Sequence, residues 1–155
     1  MNEKDLLQTV ANHYKLSNSE VSDDGVLRLN EARVIFVGEG GVGKTSLIKR
    51  LTDGTFKSNE NTTKGIDIKS WLLDIDDQSI KLDLWDFGGQ EIYYTTYQLF
   101  LTRQRTLYIL LLNNRVSEQG YWLNVIELFG GNSPVLIVGS QSDGQPLAID
   151  QQALI

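Results

Sequence analysis

The chain has 155 residues, 41% of them hydrophobic, and carries 14 Lys and Arg against 20 Asp and Glu, a formal net charge of -6. That length holds one domain with a proper core, and an acidic chain with no Lys/Arg cluster lacks the concentrated basic face that nucleic acid requires as a main partner. It contains no cysteine, so disulfides and thiolate metal sites are excluded and a reducing, cytoplasmic setting is expected.

The opening Met1-Asn2-Glu3-Lys4-Asp5 lacks the basic start and apolar run of a signal peptide. The longest apolar run, Leu107-Tyr108-Ile109-Leu110-Leu111-Leu112, is far too short for a transmembrane segment. Within residues 4–16, Leu6, Leu7, Val10 and Tyr14 share one helical face, and a polar Asp/Ser-rich stretch covers residues 17–25. Residues 1–30 therefore read as a short helix and linker ahead of a domain over residues 31–155. His13, the one histidine, lies in that helix with no second ligand candidate and reads as a surface or packing residue.

Arg33-Val34-Ile35-Phe36-Val37 is a β-branched, apolar run that predicts a strand. It leads into Gly38-Glu39-Gly40-Gly41-Val42-Gly43-Lys44-Thr45, which fits the pattern G-x-x-x-x-G-K-[ST] at every fixed position. From Ser46, the residues Leu47, Ile48 and Leu51 recur at helical spacing. Strand, glycine loop and helix together predict a cradle for a nucleotide triphosphate. The glycines let successive N–H groups turn inward, and the helix start adds its positive end. Lys44 then reaches the β- and γ-phosphates, and the Thr45 hydroxyl ligates Mg²⁺.

Asp53-Gly54 closes that helix, and residues 55–64 form a polar loop. Two strands follow at residues 66–75 and 80–85, joined by Asp76-Asp77-Gln78-Ser79 as an antiparallel hairpin. In the second, Ile80, Leu82 and Leu84 alternate with Lys81 and Asp83, so one face is buried. Directly after it stands Asp86-Phe87-Gly88-Gly89-Gln90-Glu91. A carboxylate at a strand end beside the phosphate loop holds Mg²⁺ through water, the bare N–H of Gly89 bonds the γ-phosphate, and Gln90 orients the attacking water. In the loop before the hairpin, Thr63, two residues ahead of Gly65, closes over Mg²⁺ and the γ-phosphate more readily than Thr62.

The rest alternates: a helix at 91–101, a strand at 106–112, a helix at 120–129 and a strand at 134–138. Trp122, Val125, Ile126 and Phe129 fall at i, i+3, i+4 and i+7 and read as core, with Gly130-Gly131 as the stop. The alternation predicts an α/β fold, a mostly parallel sheet with helices on both faces.

The stretch 38–45, Thr63-x-Gly65 and Asp86-Phe87-Gly88-Gly89-Gln90-Glu91 resemble a Ras-like GTPase of the P-loop NTPase class. The Phe-Gly-Gly variant, with Tyr121-Trp122-Leu123 later, resembles the Roc domain of Roco proteins in particular. The similarity runs over about residues 31–150. It implies binding of GTP and GDP with Mg²⁺, slow hydrolysis, a switch function and, after the fifth strand, a further helix, strand and closing helix for which residues 144–155 are too few; the expectation is a domain without its last strand and helix, with residues 134–138 as an apolar edge and a homodimer or a dimerising COR-like neighbour completing the fold. It carries the roles above onto Lys44, Thr45, Thr63, Asp86, Gly89 and Gln90, and places Gly40 where a side chain would crowd Gln90. Arg103 matches an arginine suspected in some Roco proteins of assisting hydrolysis across a dimer; the plainer reading is a helix C-terminal cation.

Against the family's guanine-reading Asn-Lys-x-Asp the chain has Ser140-Gln141-Ser142-Asp143. Asp143 retains the means to accept two hydrogen bonds from guanine, Gln141 offers a shorter stem to the base, and Ser140 lacks the amide that braces the pocket. Three functions compete: a hydrolysing GTPase switch, with Tyr93, Tyr94, Tyr97 and Phe100 as a partner surface; a nucleotide-binding scaffold or dimerisation module; and an ATPase of another phosphate-loop lineage, which Asp143 and Gln90 disfavour.

Overall fold

Strand β1 (Glu31–Val37) lies at the centre of a five-stranded sheet of order β2-β3-β1-β4-β5. It is followed by helix α1 (Lys44–Asp53), β2 (Ile66–Ile75), β3 (Gln78–Phe87), β4 (Thr106–Leu112), α2 (Gln119–Gly130) and β5 (Val135–Gly139). The structure is a computed structural model that describes residues 9, 10, 12, 31–75, 78–89, 100, 101, 106–114 and 119–140. Strand β1 pairs in parallel with β3 and β4, and β4 with β5, while β2 alone runs antiparallel, against β3. This is the mostly parallel α/β sheet that the alternating pattern predicts.

Alternation along the strands sorts the core into two layers. Val34 and Phe36 of β1, Leu82 and Leu84 of β3, and Ile109 and Leu111 of β4 turn to one face, where Leu47, Ile48 and Leu51 of α1 pack. Ile35 and Val37, with Phe87, Tyr108 and Leu110, turn to the other, against Trp122 and Ile126 of α2. Every residue of β4 is buried, as expected of a central parallel strand covered on both sides.

The hairpin is longer than its composition suggests. Strand β3 starts at Gln78, with Ile75 paired to Gln78, so the connection shrinks to Asp76-Asp77. The Ser79 hydroxyl donates to the Asp74 carboxylate across the ladder, a cross-strand bond that offsets the weak strand propensity of serine. At the other end β3 continues through Asp86 and Phe87, because Phe87 is wholly buried in the α2-side core. Helix α1 ends where Asp53-Gly54 predicts: Gly54 takes φ 65° and returns its N–H to the Arg50 carbonyl at 3.2 Å.

In α2, Trp122, Val125 and Ile126 are buried and Phe129 is half-buried. The expected helix at 91–101, including Tyr93, Tyr94 and Tyr97, lies outside the described residues apart from its end, where Phe100 is 42% exposed. Strand β5 is an outer strand of the described sheet. No helix among the described residues is long and apolar enough to cross a membrane.

Candidate functional site

The loop between β1 and α1 is shaped by contacts that glycine alone permits. Gly38 takes φ 134°, and a Cβ built there would stand 2.4 Å from the Leu111 carbonyl oxygen of β4. Val42, by contrast, puts its side chain into the core at 1% exposure and leaves only its backbone to the site. The helix that follows has no side-chain cap hydrogen bond at Gly43. Its first free N–H groups therefore face the cleft beside the loop, the arrangement that receives an anion.

Lys44 is buried within this loop, its Nζ donating to the carbonyls of Gly38 and Glu39, each at 2.7 Å. Burial pushes its ammonium down from an ordinary 10.5 to about 8, against the pull of Asp86 and Glu39. A charge held this way is set to meet a phosphate.

Thr45, Thr63 and Asp86 converge at one point. The Thr45 hydroxyl donates to Asp86 Oδ2 at 2.5 Å, the Thr63 hydroxyl donates to the same oxygen at 3.0 Å, and the two hydroxyl oxygens are 2.9 Å apart. Three oxygens thus meet within hydrogen-bond distance of one another with two hydroxyl protons among them. Asp86 is 3% exposed, and its Oδ1 is buried without a hydrogen-bond partner among the described residues. Burial raises the Asp86 carboxyl above its usual range, and the two threonine hydroxyls pull it back. Hard oxygens gathered about one carboxylate with an open lone pair fit Mg²⁺ and its waters. No cluster of His, Cys, Asp and Glu among the described residues forms an alternative metal site.

The cleft over these groups has a volume of about 180 Å³ and is lined by Gly40, Gly41 and residues 43–46 on one side. Ser58, Glu60, Asn61, Thr62 and Thr63 line the other, with Phe87 and Gly89 at the floor. Lys49 of α1 holds Glu60 at 2.6 Å and so ties the loop to the helix. The Gly88 N–H bonds the Gly65 carbonyl at 2.9 Å, joining the segment after β3 to the start of β2.

This arrangement, a phosphate loop on β1, an aspartate ending β3 and a threonine from the loop before β2, agrees with the family model that fits the sequence. The model described as "Ras of Complex, Roc, domain of DAPkinase" matches residues 33–143. The chain belongs to the Roc family, within the Ras-like GTPase superfamily. It is 40% identical over 97 residues to the probable serine/threonine-protein kinase roco5 of Dictyostelium discoideum, covering 57% of the chain and 3% of the relative. Over 131 residues it is 29% identical to mouse Ras-related protein Rab-19, covering 82% of the chain and 59% of Rab-19. Among solved structures, Methanosarcina barkeri Roco2 RocCORdC bound to GDP superposes with a TM-score of 0.72 at 44% identity. That match covers 87% of this chain and 42% of the Roco2 chain. The Roc domain therefore spans a small part of the Roco kinases and under half of the Roco2 chain.

Of the residues singled out in the sequence, those at 38–46, Thr63, Asp86 and Gly89 are brought to one cleft or its immediate backing. Gln90, Arg103, Gln141 and Asp143 lie outside the described residues. The structure adds a reason for Gly89: a Cβ there would stand 2.2–2.3 Å from the backbone of Glu39 and Gly40. Its bareness lets one strand end lie directly on the phosphate loop. Gly40 reciprocates, since a Cβ on it would be 3.3 Å from the Gly89 carbonyl oxygen.

Ser140 is the residue that sequence reasoning undervalued. It has no amide, yet its hydroxyl donates to the Val42 carbonyl at 2.5 Å, with the Leu112 carbonyl at 3.2 Å. The end of β5 is thereby pinned to the phosphate loop. Ser140→Ala is expected to lower the unfolding free energy by about 1 kcal/mol, read as a reduced urea midpoint at unchanged m-value. An unaltered midpoint would show that the bond adds nothing.

Proposed function

We propose that this Roc domain binds GTP and GDP with Mg²⁺ and hydrolyses GTP, and that the segments carrying Thr63 and Gly89 rearrange when the γ-phosphate is lost. The observation that carries this reading is the meeting of Lys44, Thr45, Thr63 and Asp86 beside the cleft of the phosphate loop. The GDP bound in the Roco2 relative supports a guanine nucleotide.

The uncapped start of α1 and the loop amides receive the phosphates, and Lys44 exchanges its carbonyl partners for β- and γ-oxygens. Thr45, Thr63 and Asp86 would hold Mg²⁺, which would supply neutralisation of charge on the β- and γ-phosphates. Gln90, next in the chain after Gly89, orients a water; the water oxygen bonds to the γ-phosphorus, the bond to the β–γ bridging oxygen breaks, and both protons of the water leave with inorganic phosphate. Because Thr63 and Gly89 each contact the γ-phosphate in this scheme, its departure frees both segments.

Asp143 selects guanine through its N1–H and 2-amino group, with Gln141 against the base. Arg103 assists hydrolysis from a neighbouring subunit. A COR-like domain or second copy is the expected partner, in the cytoplasm.

The test is titration of the chain with fluorescent GDP, GTP and ATP, with and without Mg²⁺, followed by phosphate release for the parent and Gln90→Ala. The reading requires preference for guanine, tighter binding with Mg²⁺, and release slowed about tenfold or more by the substitution. Equal affinity for ATP and GTP would remove the guanine assignment, and undetectable release by the parent would remove hydrolysis.

A further inference from the structure

Residues 33–143 match the family model, yet the core does not begin there. Val10 is 6% exposed and belongs to the same buried cluster as Val34 and Phe36 of β1, Ile109 and Leu111 of β4, Val42 of the phosphate loop and Ile48 of α1. Among the described residues it is the one member of that layer, fully or partly buried, that comes from outside the strands, α1 and the phosphate loop. Thr9, Val10 and Asn12 are helical, and Asn12 is exposed while Val10 is buried, as one face of a helix lying on the sheet requires.

The need for such a cover is visible in the sheet. A single helix such as α1 is about 10 Å across with its side chains, whereas five strands set about 4.8 Å apart present a surface roughly twice as wide. Leu107, Ile109 and Leu111 on the α1 side of β4 are nonetheless 4%, 1% and 1% exposed. Leu6, Leu7 and Tyr14 share the helical face of Val10 in the sequence pattern, so the segment carries more apolar surface than a linker has use for.

We propose that the helix around Val10 is an intramolecular brace on the phosphate-loop side of this Roc domain, and that lifting it from the sheet loosens the loop and speeds nucleotide release. The physical link is the shared layer. Val42 and Ile48 anchor the phosphate loop and the first turns of α1 by their side chains, and a packed layer transmits the loss of one member to the others. Whatever acts on the chain ahead of residue 10 thereby acts on the nucleotide site. The effect on release rests on the nucleotide-binding reading above; the bracing of the core does not.

The test uses the full chain carrying Val10→Ala or Val10→Asp, with Leu128→Ala, an exposed leucine of α2 at 66%, as control. Equilibrium unfolding, hydrogen exchange and release of fluorescent GDP are followed. Val10→Ala is expected to reduce the folded-to-unfolded ratio about tenfold. Val10→Asp is expected to release GDP several-fold faster, with exchange rising in residues 42–51 and unchanged in α2. Parental release and exchange in both Val10 variants would overturn the brace, as would a rise in exchange as large in α2 as in α1. If the parent binds no GDP, the nucleotide reading falls, while unfolding and exchange still decide whether Val10 braces the core.

Discussion

Replacing Lys44 by methionine is expected to weaken GDP and GTP binding at least about a hundredfold while making the empty protein more stable. The two effects share one cause. Lys44 is 6% exposed and its ammonium is pushed down to about 8, so holding it charged at neutral pH costs the fold about 3 kcal/mol relative to an unfolded lysine. Bound phosphate repays that cost by supplying opposite charge in a low-dielectric cleft. Methionine keeps the stem and removes both terms. The sign with pH follows from the lowered value: between about 8 and 10.5 the unfolded chain holds a proton that the native state has released, so parental stability rises with pH across that window. The stability advantage of Lys44→Met should therefore shrink from pH 8 upward. Differential melting of parent and variant, paired with GDP titration, reads both effects. A variant less stable than the parent at pH 7 would show that the two carbonyl bonds outweigh the burial cost.

Gly38→Ala is expected to cost the fold about 3 kcal/mol or more. The position combines φ 134° with a Cβ path that ends 2.4 Å from the Leu111 carbonyl oxygen. A backbone oxygen in a central strand cannot swing aside as a side chain would, so relief requires β1 and β4 to part where they pair. Gly120→Ala is the matching control: it lies in α2, with nothing within 4 Å of the added carbon. There the substitution should stabilise by about 0.5–1 kcal/mol. Chemical denaturation of both variants checks the pair, and equal behaviour would refute the steric argument.

Much of the fold was legible in local pattern. The strands at residues 66–75 and 106–112 have the predicted limits, because β-branched and apolar runs bounded by turn residues carry their signal within themselves. The phosphate loop was legible for the same reason. Its glycines, lysine and threonine are contiguous, and the chemistry of holding phosphates demands those types. Ser140 was not legible as a brace, since its partner Val42 is 98 positions away and accepts through a backbone oxygen that no residue type announces. Val10 read as part of a helix before a linker; only the packing shows that this helix lies on the core.

Gly89 marks the division most sharply. From the sequence alone it reads as an unobstructed N–H for a γ-phosphate, and the string of motifs determines a P-loop fold and names the residues proposed for the phosphate and Mg²⁺ site. The tertiary structure decides that Gly89 must also be bare because it lies against the backbone of Glu39 and Gly40, that Thr63 rather than Thr62 joins Thr45 and Asp86, and that residue 10 shares a core with residue 42. Periodicity and motif spacing are encoded by neighbours along the chain. Close approach between distant backbones is set by how sheet and helices come to rest on one another, which no local stretch of sequence contains.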